Sequence, residues 1–384
     1  MTTFNPSRLK EIRVIREFTL EQVAAGLGVT KQMVSKYETG LSMPQREALV
    51  KMAMFFSAPL AFFYKPSIDF SYSCSALFFR TTSNTSGKEV ASARISNQWS
   101  FEITEAIDSL WGLPKADIPT FETGINVINK ANLLRDHWGL GVSPIDNLTE
   151  LLEAHGIFVT TVSSSALKTD GYSQIVNGIP VIVINRDRGS AVRQRFSLAH
   201  ELGHLVLHRN LSETEYKLHE KEYESEADLF ANSFLLPKLG FDPMVHAAEL
   251  EHFVYLKKVW KVSIAAMIYH CIQNRILPVK GIEYMRNNKL YRLYGRKVEP
   301  LDDIIPLEQP SLLSKSLTRH VFDQDSFDRF YSIASLPLDS LELLAGLKPG
   351  CWADYYGNGD DWVNVAYSSS QPYYGQMTLF ELEV

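Results

Sequence analysis

Cysteine is scarce in this chain. Its 384 residues include three, Cys74, Cys271 and Cys351, spaced too widely for a C-x-x-C metal site or for the disulfide framework of a small secreted domain. A reducing, cytoplasmic setting is therefore expected. Long apolar runs are lacking as well. The most hydrophobic stretch, residues 48–64, is broken by Lys51, Ser57 and Pro59, so nothing reaches the ~18 uninterrupted apolar residues of a membrane-spanning helix. The chain reads as neither exported nor membrane-spanning. No internal repeat or low-complexity tract is present, which sets aside repeat architectures and disordered tails.

What is present describes a globular protein, with 45% hydrophobic and 11% aromatic residues. At 384 residues one ordinary core is exceeded, and two or three domains are expected. Charge is unevenly spread. Residues 1–65 carry nine Lys/Arg against five Asp/Glu, a net of +4 that leaves −10 for the remainder of a chain whose total is −6. A basic first domain on an acidic chain implies an anionic partner for that domain alone.

The densest chemical signal is Ser197-Leu-Ala-His-Glu-Leu-Gly-His-Leu-Val-Leu-His208. His200 and His204 are four residues apart, about 1.1 helical turns, and so project from one face of a helix. Such a pair can hold one Zn²⁺, with Glu201 beside the first ligand as base for a water. The flanking Phe196, Leu198, Ala199, Leu202 and Leu205 make this an apolar helix, in which two unpartnered imidazoles would be costly to bury. His208 continues the face by another turn, too far along the axis to be a third ligand, and suits a helix cap or a contact to a ligand.

The metzincin spacing is excluded, because Leu207 and Asn210 stand where Gly and His are required. A third ligand should then come from a later helix, and residues 222–237 provide one. Their apolar stripe, Ala227, Phe230, Ala231, Phe234 and Leu235, has helical spacing and ends at Pro237. Glu224 falls within that stripe, Glu226 at its edge and Glu222 on the opposite face. An inward Glu224 needs a partner, and a metal supplies one. Asp228, one turn later, is placed to accept the free N–H of a ligating histidine. Two imidazoles and a carboxylate suit Zn²⁺, and the same atoms fit Mn²⁺ or Fe²⁺.

The run from Arg193 to His208, followed by Glu224-x-x-Ala-Asp-x-Phe-Ala-x-x-x-Leu-Leu-Pro237, resembles the ImmA/IrrE family of metallo-endopeptidases over about residues 120–280. The resemblance implies a minimal zincin domain with one Zn²⁺ on His200, His204 and Glu224, Glu201 as base, and a helix-turn-helix repressor as protein substrate. Tyr216 and Tyr223 are candidates, by proximity, for stabilising an oxyanion. The strands expected at 158–162 and 179–185, flanking Gly171-Tyr-Ser, would form a small sheet ahead of the motif helix. Its edge could pair with an extended substrate backbone. Pro180 suits a strand start or edge, while Val181–Ile184 would equally fit a central strand.

At the N-terminus, helices are expected over 6–17, from Leu20 after a Thr19 cap, from Lys31 after Gly28 and a Thr30 cap, and over 45–56. Val29-Thr-Lys-Gln-x-Val-Ser-Lys-Tyr-Glu38-x-Gly40 with Pro44 resembles the XRE, or phage-repressor-like, helix-turn-helix domain. The resemblance implies duplex DNA as partner, with Lys31, Gln32, Ser35 and Lys36 turned to bases and phosphates. One departure is Leu20, where the family often has Gln. A protein–protein module is the alternative for a small helical domain of this kind.

The expected fold class is thus α+β multidomain. An all-α helix-turn-helix domain occupies 1–66 and a bridging segment 67–120, with a helix over 89–111 and compatible with homodimerisation. A zincin-like peptidase domain covers 121–280. A C-terminal domain, 281–384, is read as mixed α/β or β-rich and is a candidate sensor. Its aromatics, Trp352, Tyr355, Tyr356, Trp362 and Tyr367, would fill a small β core or line a pocket. The expected function is a cytoplasmic DNA-binding transcriptional regulator fused to a zinc-dependent endopeptidase. The alternative is a transcription factor, or antitoxin-like repressor, whose protease-like domain binds a ligand or partner without cleaving.

Overall fold

A computed structural model describes residues 3–66, 87–162, 170–185, 189–295 and 298–352. The chain divides into two compact units that do not follow chain order. The described residues of the first are 3–66, 87–113 and 311–352, and those of the second fall within 114–310.

The first unit opens with helices α1 (Pro6–Ile15), α2 (Leu20–Leu27), α3 (Lys31–Glu38) and α4 (Arg46–Phe56). Local chemistry sets their ends. Thr19 and Gln22 form a reciprocal capping box, Gly28 takes the left-handed conformation at φ 68° that closes α2, and the Thr30 hydroxyl accepts from Met33 N. Leu9, Ile12, Val23, Leu27, Val34, Leu49, Met52 and Phe56 fill the core between them. Arg13 on α1 reaches Glu38 on α3 through two hydrogen bonds.

The helix expected over 89–111 forms as α5 (Gly87–Trp111), and it is the buried centre of this unit. Trp99, Phe101, Ile103 and Ile107 are fully buried, and with them Arg8 of α1. That guanidinium is matched by Glu11 at 3.0 Å and Glu102 at 2.8 Å, while Trp99 Nε1 donates to Glu11 at 3.1 Å. Burial of a charge is tolerable here because each guanidinium nitrogen has an acceptor, Nε on Lys65 O, Nη1 on Glu11 and Nη2 on Pro66 O and Glu102.

In the second unit come α6 (Val127–His137), α7 (Leu148–Ala154), β1 (Phe158–Val162), β2 (Gly171–Val176) and β3 (Ile179–Asn185). The sheet order is β1-β3-β2, with β3 parallel to β1 and antiparallel to β2. Val181–Ile184 is therefore the central strand, and Pro180 sits near its start. α8 (Ala191–Leu207) and α9 (Glu213–Leu235) follow as a packed pair, α9 bending at His219. The helices α10 (Lys238–Phe241), α11 (Leu250–Trp260), α12 (Ile264–Gln273) and α13 (Val279–Tyr284) continue the helical layer. A π-helical turn (Met285–Leu290) and α14 (Tyr291–Tyr294) complete it. One apolar core joins these helices to the sheet through Leu198, Leu202, Ile182, Phe230 and Phe234. The segment before residue 310 is tied down by fully buried Lys257, whose ammonium meets Glu299 at 2.9 Å and Asp302 at 2.7 Å.

The described C-terminal part corrects the β-rich expectation. It is helical, as α15 (Leu312–His320), α16 (Gln324–Ala334) and α17 (Leu338–Leu344), and belongs to the first unit. Phe327, Phe330, Tyr331 and Ala334 fall at helical spacing on a buried face, and an Asp323–Ser326 capping box starts α16. Aromatic density resembles a strand signal, but the three-and-four spacing decides for helix. α17 is tied to α1 by a two-bond ion pair between Asp339 and Arg16. Trp352 is buried against Phe327, 5.3 Å between ring centres, while Tyr355, Tyr356, Trp362 and Tyr367 lie outside the described residues. No helix among the described residues is long and apolar enough to cross a membrane.

Candidate metal centre and helix-turn-helix face

α8 and α9 approach closely enough to share one site because small residues face each other. A side chain on Gly203 would place its Cβ 3.1 Å from the Phe230 ring and 3.3 Å from the Ala227 backbone. That close approach brings Glu224 of α9 over the two histidines of α8. His200 Nε2 and His204 Nε2 are 3.0 Å apart, and each is 3.6 Å from a Glu224 carboxylate oxygen. Donors about 2.05 Å from a tetrahedral zinc ion are about 3.3 Å from one another, so these separations bracket what such an ion requires. Among the described residues, this is the group of His, Cys, Asp and Glu side chains whose donor atoms converge tightly enough to hold a metal ion.

The outer nitrogens support the same geometry. His200 Nδ1 meets Asp228 Oδ1 at 2.8 Å, and His204 Nδ1 meets His208 Nδ1 at 3.0 Å. Both rings thus have their Nδ1 atoms engaged and their Nε2 atoms turned to a common point. Tyr216, buried, donates its hydroxyl to Glu224 Oε1, which steadies that carboxylate. Glu222 is exposed, as its position on the helix demands.

Glu201 is buried beside this group, and its Oε2 accepts a hydrogen bond from Ser173 Oγ at 2.8 Å. β2 supplies that serine, and Gly171 on the same strand lets β2 lie close to β3, since a Cβ there would come within 2.8 Å of Ile184 Cδ1 and of the Val183 carbonyl. Burial pushes the Glu201 carboxyl up to about 7, against the opposing pull of His200 and Ser173. His204 is pushed down to about 3, first by burial and then by the neighbouring imidazoles. Burial opposes charge on His200 too, yet the carboxylates of Asp228 and Glu224 hold it at about 10. Glu224 is brought down to about 2, because its bonds to His200 and Tyr216 outweigh burial. A metal would take the place of the proton that these carboxylates favour on His200, since ligands must present lone pairs, and the two Nε2 atoms with Glu224 then form a donor set that fits a cation.

On α3, Lys31, Gln32 and Lys36 are exposed and Ser35 is half-buried, while Val34 and Tyr37 turn into the core. The four expected contact residues therefore share the outer face of one helix. Lys31 is held over α2 by Glu21 at 2.5 Å, an exposed pair that a phosphate could replace.

Sequence reasoning missed three contacts at the site: Ser173 to Glu201, Tyr216 to Glu224, and His208 through Nε2 to Glu226 at 2.9 Å. Glu226 reads from the sequence only as lying at the edge of the apolar stripe. None of these pairs leaves a spacing signal, because each joins residues set near each other only by the packing of β2, α8 and α9.

A family model described as the IrrE N-terminal-like domain, of the peptidase M78 type, matches residues 152–271, and a helix-turn-helix model matches residues 9–63. The transcriptional repressor RstR of the cryptic phage CTXphi, from Vibrio cholerae, is 38% identical over 55 residues, which is 14% of this chain and 50% of the repressor. The chain thus spans about half the length of that curated relative. The protein joins a repressor-like helix-turn-helix domain to an IrrE-like, metallopeptidase-like domain.

Proposed function

We propose that the chain is a DNA-binding transcriptional regulator whose second unit is a zinc-dependent endopeptidase acting on a regulatory protein, one of the helix-turn-helix repressor class. The observation that carries the enzymatic part is Glu201. A site that only held a metal for structure has no need of a buried carboxylate beside its ligands. Here that carboxylate is present, buried beside the ligands and oriented by Ser173, as a general base requires.

His200, His204 and Glu224 would hold the ion, and Asp228 would fix the His200 ring. When bound, a divalent ion supplies a Lewis acid that acidifies water and polarises a peptide carbonyl. Ser173 engages Glu201 Oε2, so Oε1 takes the proton from the attacking water and returns it to the leaving amine. β2 borders Glu201 and is an edge of the sheet among the described residues, which suits it to align an extended substrate segment by backbone pairing. In the first unit, the net charge of +4 over residues 1–65 and the outward Lys31, Gln32 and Lys36 support a DNA-facing α3.

The test compares wild type with Glu201→Gln in cells, with the natural partner and inducing condition supplied. The variant is expected to keep full zinc occupancy and substrate binding while losing cleavage by a factor on the order of 10² or more. Equal partner lifetimes and equal regulatory output in the two would remove the enzymatic reading and leave a non-cleaving transcription factor.

A further inference from the structure

We infer that His208 and Glu226 form a positioning relay that sets His204 as a metal ligand. This rests on the assignment of His200, His204 and Glu224 as the ligand set.

The two histidine ligands are held in different ways. His200 Nδ1 meets a carboxylate directly, Asp228 at 2.8 Å. His204 is held through an intermediary. Its Nδ1 lies 3.0 Å from His208 Nδ1, and His208 Nε2 lies 2.9 Å from Glu226 Oε2. Proton accounting then allows one neutral arrangement. The Glu226 carboxylate only accepts, so His208 carries its proton at Nε2 and presents a lone pair at Nδ1. His204 must donate to that lone pair from Nδ1, which leaves its own lone pair at Nε2, facing His200 Nε2 and Glu224. Any other neutral assignment sets two lone pairs or two N–H groups against each other, either across the 3.0 Å contact or against the carboxylate.

The placement keeps water from doing the same work. His208 closes the end of α8, is buried, and has the Tyr223 ring 4.8 Å from its own. Glu226 comes from α9, two residues after Glu224, so the helix that supplies the third ligand also anchors the second. Outer partners of this kind contribute to metal affinity by fixing ring orientation and tautomer.

The experiment measures the zinc dissociation constant of the full chain by competition with a chromophoric chelator, supported by the absorption spectrum of the cobalt-loaded protein. His208→Phe keeps the ring volume but cannot accept a hydrogen bond, and should weaken zinc binding by about 10- to 100-fold. His208→Gln restores an acceptor and should recover to within a few-fold of wild type. Glu226→Ala, at a side chain 38% exposed, should bind several-fold more weakly, with an altered cobalt spectrum. Thermal unfolding of the metal-free proteins checks that each variant is folded. If His208→Phe binds zinc within twofold of wild type, or if the Phe and Gln variants are equally weakened, the relay is refuted. Should His208→Phe not fold, Glu226→Ala decides alone, and unchanged affinity there refutes the relay equally. If instead His200→Ala retains stoichiometric zinc, the ligand assignment itself fails, and the relay with it.

Discussion

Replacing Glu308 by alanine should destabilise the second unit from a position remote in sequence from the motif helix. Arg195 lies on α8 five residues before His200 and is buried, with 1% side-chain exposure against 9% for Glu308. The Glu308 carboxylate accepts from Arg195 Nη1 through Oε1 and, through Oε2, from Thr149 N at 2.8 Å and Thr149 Oγ1 at 3.1 Å. Truncation leaves the guanidinium with two carbonyl acceptors, Ile145 O at 2.7 Å and Lys261 O at 3.1 Å, and takes the acceptor from the Thr149 N–H in the first turn of α7. Breaking one side of a buried pair costs about 3–5 kcal/mol, and the two remaining acceptors argue for about 3. For a unit of roughly 200 residues that corresponds to a fall in Tm of about 6–12 °C. Calorimetry of the full chain reads the loss, and hydrogen exchange of α8 peptides assigns it to this unit. Arg195→Ala combined with Glu308→Ala should cost less than the two separately, because the second truncation no longer strands a charge. A Tm within 1 °C of wild type for Glu308→Ala, with α8 protection unchanged, would refute the reasoning.

Two further outcomes follow from the sites. Ser173→Ala removes a hydrogen bond that favours ionised Glu201, so the Glu201 pKa should rise and the acid limb of a kcat/KM profile should move to higher pH. A lost bond to a charged group of about 1.5 kcal/mol corresponds to roughly a tenfold loss below that limb and a smaller one above it; a parallel loss at every pH would mean that Ser173 acts by packing alone. On α3, Lys36→Ala should weaken binding to all duplexes and flatten the salt dependence by about one counterion, whereas Gln32→Ala should change sequence preference, both read by titration across salt concentrations. No binding to any duplex at low salt would make the domain a protein–protein module.

What the sequence determined by itself is what depends on near neighbours. The spacing of His200 and His204, the place of Glu224 on the apolar face of its helix and the caps at Thr19 and Thr30 follow from helical geometry. So does the division of α3 into a buried Val34 and Tyr37 and an exposed Lys31, Gln32 and Lys36. Asp228 was legible for the same reason. In the described C-terminal part, the helical spacing of Phe327, Phe330, Tyr331 and Ala334 was there to be counted. Only the tertiary structure decided which strand borders Glu201, since β1 and β2 both lie ahead of the motif and only pairing through β3 brings Ser173 to it. It also decided that Glu226 faces His208 and that Glu308 meets Arg195. It likewise decided that residues on either side of 310 fall in different compact units. These are contacts between segments distant along the chain. Local periodicity fixes which side of an element is apolar, whereas the partner is selected by packing, where small residues such as Gly203 and Ala227 let two helices close and most other side chains would hold them apart.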